Sequence, residues 1–286
     1  GLKAGDIILT VDGKDIKGLM PTNVTDMLRG EAGTTLELRF QRPGEKEPRT
    51  VHITRRPNQL PAIPYYGIMD DGIGYINLNS FTSGCAREMR HALLQLMSQG
   101  AKALVLDIRD NVGGAINEAV DITNLFLPKG VKVVYTKGKQ ASMNHEYSTT
   151  TDPIAPDMPL VVLVNGMSAS SSEIVCGALQ DMDRAVIMGT QTYGKGLVQS
   201  QIPYPDGSAL RLTIARYFTP TGRSIQKPYT NGNDYDYDMD IVRRYNNNEF
   251  FSADSIHFAD SLKFTTPKGK VVYGGGGIMP DVFIPL

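Results

Sequence analysis

Hydrophobic residues follow two patterns along the 286-residue chain. Over residues 1–56 they come in short runs and alternations, the mark of half-buried strands. Ile7–Val11 is an apolar run closed by Asp12-Gly13, a strong turn pair. Val24–Leu28 fits a short helix, and Thr35–Phe40 and Thr50–Thr54 alternate as strands do. Pro57, Pro61 and Pro64 crowd one stretch, so residues 57–69 are expected to link two domains. From Gly72 the period changes. Tyr75–Leu78, Ala103–Ile108, Val131–Tyr135, Leu160–Val164 and Ala185–Met188 read as strands, and the continuous apolar runs among them suit a buried parallel sheet. Met89, Ala92, Leu93, Leu96 and Met97 recur at helical spacing up to Gly100. Ile116, Ala119, Val120, Ile122 and Phe126 mark a second helix, and Ile174, Ala178, Leu179 and Met182 a third. Strand–helix alternation predicts βαβ units and an α/β core over residues 70–286.

Residues 229–250 break the pattern with repeated Asn, Asp and Tyr, and the stretch 229–272 is expected to be a surface insertion. A glycine-rich turn from Gly274 precedes one last strand. No run of 18 apolar residues exists, so no bilayer span is expected. Lys+Arg number 29 and Asp+Glu 30, a net charge of −1, which excludes nucleic-acid or membrane-surface affinity built on bulk positive charge. Cys85 and Cys176 cannot make a disulfide framework, and four scattered histidines give no reason to expect a metal. The start, Gly1-Leu2-Lys3-Ala4-Gly5-Asp6, has neither Met nor signal peptide and reads as a trimmed piece whose cellular address is not legible.

The sharpest chemical feature is Asn165-Gly166-Met167-Ser168-Ala169-Ser170-Ser171-Ser172-Glu173, between a buried strand and a helix. Such a turn puts a side chain at the carboxyl edge of the sheet, where open α/β folds hold ligands. The helix N-terminus adds free N–H groups. A serine there can become a nucleophile, although serines also simply cap helices, and four of them leave the choice open. The turn lacks the second glycine of a Ser-His hydrolase elbow, and His52, His91, His145 and His257 sit in no partner motif. Lysine is the other base. At pH 7 only about one ordinary lysine in 2,500 is neutral, so a catalytic one needs its pKa lowered by about three pH units, roughly 4 kcal/mol. Lys195 is the candidate, in Gly189-Thr190-Gln191-Thr192-Tyr193-Gly194-Lys195-Gly196. That segment mimics a phosphate loop, but Gly196 stands where Ser or Thr must hold magnesium, and Leu197–Gln201 looks like a strand rather than a helix. Asp107-Ile108-Arg109-Asp110-Asn111-Val112-Gly113-Gly114 is a strand-to-helix turn whose glycines expose N–H groups, as an oxyanion hole requires. The acidic run Asp234–Asp240 lacks the glycine and glutamate of a calcium loop and reads as a solvated loop. Cys176 reads as a small core residue on the third helix.

Taken in order, these segments resemble the C-terminal processing peptidases, or tail-specific proteases, a family of serine peptidases with a Ser/Lys dyad. Gly1–Arg56 is similar to the back part of a PDZ domain. Asp107–Gly114, Ser168–Ile174, Thr192–Gly196 with Gln199, Phe218–Arg223 and Gly277–Asp281 follow in the family's order. The resemblance implies Ser170 as nucleophile, Lys195 as general base and Gln199 as the residue that orients it. It implies an oxyanion hole from Gly113, Gly114 and Ser171, with Glu173, Asp181 and Thr192 in support. It implies a core of the ClpP/crotonase type, built of ββα superhelical units behind a partial PDZ domain. No metal or cofactor is implied. The implied partners are protein or peptide substrates with an accessible apolar C-terminus, in the periplasm or cell envelope, and a homo-oligomer is left open. Ser171 stands where the family usually has alanine, and the carboxylate-binding loop of the PDZ part is missing. Two rivals remain: a non-catalytic binder of apolar ligands on the same fold, and a crotonase-like acyl-CoA enzyme.

Overall fold

The computed structural model describes residues 1–57, 60–230, 232 and 234–286. The chain divides into two compact units, Gly1–Leu60 and Pro61–Leu286. Asn58 and Gln59 of the expected linker lie outside the described residues.

In the first unit β1 (Ile7–Val11), β2 (Lys14–Asp15), β3 (Thr35–Gln41) and β4 (Arg49–Thr54) form an antiparallel sheet in the order β2-β1-β3-β4. Alternation on β3 buries Leu36, Leu38 and Phe40, and Val11 joins Leu36 and Leu38 in a small core. Helix α1 (Pro21–Leu28) starts three residues before the expected Val24, because Pro21 occupies its first position with φ already set for a helix. Arg42 donates from Nε and Nη2 to the two carboxylate oxygens of Asp6, each at 2.8 Å. This fork holds the Asp6 carboxyl down to about 2. A depressed carboxyl contributes stability above its unfolded value that is lost as pH falls through the folded one. The first unit is therefore expected to lose stability between about pH 4 and pH 2. Asp6→Asn should flatten that limb in a pH series of urea unfolding curves; an unchanged limb would refute the assignment.

The second unit is α/β. Residues Tyr65–Ile68, expected to belong to the linker, form β5 and pair antiparallel with β6 (Ile73–Asn77). Helix α2 (Cys85–Ser98), β7 (Ala103–Asp107), α3 (Ile116–Thr123), β8 (Lys132–Gly138), β9 (Glu146–Ser148), β10 (Leu160–Val164), α4 (Ser171–Asp181) and β11 (Val186–Gly189) follow. Next come β12 (Leu197–Pro203), β13 (Ala209–Phe218), α5 (Asp234–Asp238), α6 (Asp240–Asn246), β14 (Lys263–Thr265), β15 (Val271–Tyr273) and β16 (Val282–Phe283). The main sheet runs β16-β11-β10-β7-β6-β5, parallel except for β5. Leu104, Leu106, Val162, Val164 and Ile187 point into one core with Met89, Leu93 and Leu96 of α2 and Ile122 of α3. A second, antiparallel sheet runs β12-β13-β8-β9. Among the described residues no helix is long and apolar enough to cross a membrane.

Strands β7, β10 and β11 are neighbours in this sheet, so the three loops leaving their carboxyl ends lie side by side. These loops carry Gly113-Gly114, Ser168–Ser170 and Lys195. Three stretches some 25 to 55 residues apart are thereby brought to one sheet edge.

The stretch 229–272 is more built than a surface insertion. The acidic run is helical rather than looped, and Arg244 and Phe250 are buried. Its polar composition hid this, because the buried groups in it include a cation held by backbone carbonyls.

Candidate active site

Helix α4 is buried along its whole length, polar residues included. Its N-cap is Ser170, at φ 55° and ψ −112°. A non-glycine residue there is strained and must be held by its surroundings. The fully buried Glu173 does the holding. One carboxylate oxygen accepts the N–H groups of Ser170 (2.9 Å) and Lys195 (2.8 Å). The other accepts the Thr192 hydroxyl (2.6 Å) and the Gly194 N–H (2.7 Å). One side chain thus fixes the Ser170 turn and the lysine loop to each other. Burial pushes the Glu173 carboxyl up from its ordinary range, against the pull of these four donors.

The four serines of the turn are not equivalent. Ser168 donates to Ile108 O (2.8 Å), Ser171 to Gly114 O (2.9 Å) and Ser172 to Asn111 O (2.7 Å). These three hydroxyls tie the turn to the neighbouring 108–114 loop. Among the described residues the Ser170 hydroxyl donates to no acceptor. Ser170 also lines a cavity of about 560 Å³ with Lys195, Gln199, Gly113, Gly114 and Ser171. No hydrogen bond joins Ser170 Oγ to Lys195 Nζ among the described residues. The two share the cavity, and such contacts often tighten only with substrate in place. Gln199 is exposed on β12, beside an irregularity in its pairing with β13. Ile116, Ile174, Leu197 and Val198 make part of the lining apolar.

The expected oxyanion donors divide. The Gly113 N–H donates to Asn111 Oδ1 (2.9 Å), which leaves it committed. The N–H groups of Gly114 and Ser171 have no acceptor among the described residues. Gly113 instead matters for its missing side chain. At φ +97°, a Cβ would lie 2.7 Å from Ala169 O, 2.8 Å from Ser170 Cβ and 2.9 Å from Ser171 N. Gly113→Ala is expected to push this loop off the Ser170 turn and lower kcat by about 10²–10³-fold, the usual loss when an oxyanion donor is displaced. Steady-state cleavage rates at matched thermal stability check this, and an unchanged kcat would contradict it.

The remaining supporting residues sort by position. Thr192 donates to Glu173 and accepts the Ile278 N–H (2.7 Å), so it belongs to the site's scaffold. Asp181 lies at the other end of α4, about 15 Å away by helix rise. It accepts the N–H and hydroxyl of Thr221 and pairs with Arg223 at 2.6 Å, both ions fully buried. It anchors the 219–223 turn rather than the cavity. Cys176 is buried in the core, and burial pushes its thiol up. Sequence reasoning missed Tyr217. Its buried hydroxyl lies within hydrogen-bond reach of Ser170 O (2.9 Å) and Lys195 O, bridging the two backbones. Burial raises its phenol well above the ordinary value, so it stays a donor. The signal was there: Ala215 and Tyr217 are the buried alternates at the end of β13.

The model of peptidase family S41 matches residues 72–239, and the chain belongs to that family. A PDZ-domain model matches residues 1–42. The chain is 40% identical over 230 residues to the carboxy-terminal-processing protease of Bartonella bacilliformis, covering 79% of this chain and 52% of that one. It is 39% identical over 231 residues to the carboxyl-terminal-processing protease of a Picosynechococcus species, covering 79% and 55%. Among solved structures, it is similar to the photosystem II D1 C-terminal processing protease, with a TM-score of 0.52, 35% identity and coverage of 79% and 61%. The chain spans about half the length of the curated relatives it matches.

Proposed function

We propose that the chain carries the catalytic machinery of a serine peptidase that cleaves proteins or peptides through an acyl-enzyme on Ser170. The observation that carries this reading is the Ser170 hydroxyl, the one of the four serine hydroxyls that donates to no backbone carbonyl, in one cavity with Lys195. Neutral Lys195 takes the hydroxyl proton as Ser170 attacks the scissile carbonyl. The N–H groups of Gly114 and Ser171 receive the developing oxyanion. Protonated Lys195 then gives its proton to the leaving amine, and water releases the acid. Gln199 orients the ammonium from the cavity wall.

The reading extends to the substrate. The apolar lining from Ile116, Ile174, Leu197 and Val198 suits an apolar side chain next to the cut. The names of the relatives and the PDZ match favour a protein tail as the recognised feature. We read the core as the ClpP/crotonase type, supported by its strand–strand–helix start, β5-β6-α2. An envelope or periplasmic location follows from the same resemblance.

The test is cleavage of an unfolded protein by the unmodified chain, Ser170→Ala and Lys195→Ala, followed by mass spectrometry of fragments. Loss in both variants supports the dyad. Persistence in Ser170→Ala removes it.

A further inference from the structure

The loop that carries Lys195 is irregular from Thr190 to Gly196, yet its backbone polar groups are bonded one after another. On one side lie Glu173, Tyr217 and the Ser168 carbonyl, which accepts the Tyr193 N–H at 3.0 Å. Helices α5 and α6 and the segment 226–227 hold the other side. Arg244 of α6 donates from Nη1 to Thr192 O (2.9 Å) and from Nη2 to Gln191 O (2.8 Å). The Lys227 N–H donates to Gly194 O (2.9 Å), and Gln226 Oε1 accepts the Gly196 N–H (2.9 Å).

Both cations are buried. The Arg244 guanidinium lies over the Phe250 ring at 4.9 Å, and its Nε is 3.4 Å from Glu249. The Lys227 ammonium sits between the rings of Tyr193, from the loop (4.0 Å), and Tyr237, from α5 (4.2 Å). It donates to Tyr237 O (3.0 Å) and faces Asp240 at 3.4 Å. Burial lowers the pKa of both groups. Burying a cation is costly unless it is fully bonded. A helix pair merely resting on the surface would not require two.

We infer that Arg244 is a positioning residue for the Lys195 base, with the Lys227 cage as its second fastening. Its fork fixes the carbonyls of Gln191 and Thr192, and so sets how far into the cavity the following residues reach. Arg244 touches neither substrate nor reacting atoms and acts only through the loop. The inference rests on the serine-peptidase reading above.

The test has two readouts on the whole chain. Arg244→Ala is expected to lower kcat by about 10- to 100-fold with KM within about twofold, since a misplacement of about 1 Å can cost that much. Methylguanidinium added at millimolar concentration restores part of kcat, and methylammonium does not. Hydrogen exchange at the amides of residues 192–196 speeds up by about tenfold or more while α4 keeps its protection. Unchanged kcat with unchanged exchange at 192–196 overturns the inference, as does a uniform rise in exchange with no rescue. If Arg244→Ala does not fold, Arg244→Lys carries both readouts. It keeps the charge but reaches one carbonyl, so a smaller kcat loss and faster exchange at 192–196 are expected, and unmodified values overturn the inference. Exchange does not depend on turnover. Should the unmodified chain fail to cleave, the peptidase reading falls while the Arg244 fastening is still judged on exchange.

Discussion

Ser170→Ala is expected to lower kcat for peptide-bond cleavage by about 10⁴–10⁶-fold, the range found when a catalytic nucleophile is removed. The fold should survive: Ser170→Ala removes only the N-cap acceptor of α4, worth about 0.5–2 kcal/mol, while Glu173 still holds the backbone N–H of residue 170. The neighbouring serines should behave in the opposite way. Ser168→Ala and Ser172→Ala each remove a buried hydrogen bond to a backbone carbonyl of the 108–114 loop. The carbonyls of Ile108 and Asn111 keep a second donor, the Asn111 and Ala169 N–H groups, so each loss should cost about 0.5–1.5 kcal/mol of stability. Their kcat values should fall far less than that of Ser170→Ala. Single-turnover rates set beside urea unfolding midpoints separate the two behaviours. Equal kcat losses at Ser168 and Ser170 would sink the assignment.

Glu173→Gln should be the most damaging substitution outside the reacting groups. The carboxylate serves four donors with two oxygens. A carboxamide keeps one accepting oxygen and turns an NH₂ toward two of those donors, so no rotamer satisfies the set. Each buried neutral donor left without an acceptor costs about 1–3 kcal/mol. The local effect is larger than the global one, because the pairs broken are those that join the Ser170 turn to the Lys195 loop. The expected result is a kcat loss of about 10²–10³-fold beyond what stability explains, the effect of loosening a preorganised site. Circular dichroism melting and cleavage rates measured below the melting transition test this. A variant with normal rates would show that the carboxylate is only a core group.

What could be read from the sequence depended on whether a residue's partners were near it in the chain. The central strands of the main sheet were legible because burial on both faces leaves continuous apolar runs, as in Leu160–Val164, which is a strand over those same residues, whereas the exposed edge strand β5 left no such run. Helix α4 was found through Ile174, Ala178 and Leu179, but its polar first turn gave no hint that Ser171, Ser172 and Glu173 are buried. Their partners lie in loops 20 to 60 residues away, beyond the reach of any periodicity. The same reason hid Tyr217 and Arg244, whose acceptors are backbone carbonyls with no sequence signature. The Gly113 N–H looked like an oxyanion donor by its glycine context, yet Asn111, two residues earlier, accepts it. Helices α5 and α6 were missed because Asn, Asp and Tyr are weak helix formers, and packing against the Lys195 loop overrides that propensity.

Lys195 is proposed to activate Ser170 as the nucleophile. The most direct measurement is labelling of the intact chain with a fluorophosphonate, followed by peptide mapping of the adduct. One adduct is expected, on Ser170, that is lost in Lys195→Ala while Ser168, Ser171 and Ser172 stay unmodified. An adduct on another serine, or labelling of Ser170 that persists undiminished in Lys195→Ala, would contradict it.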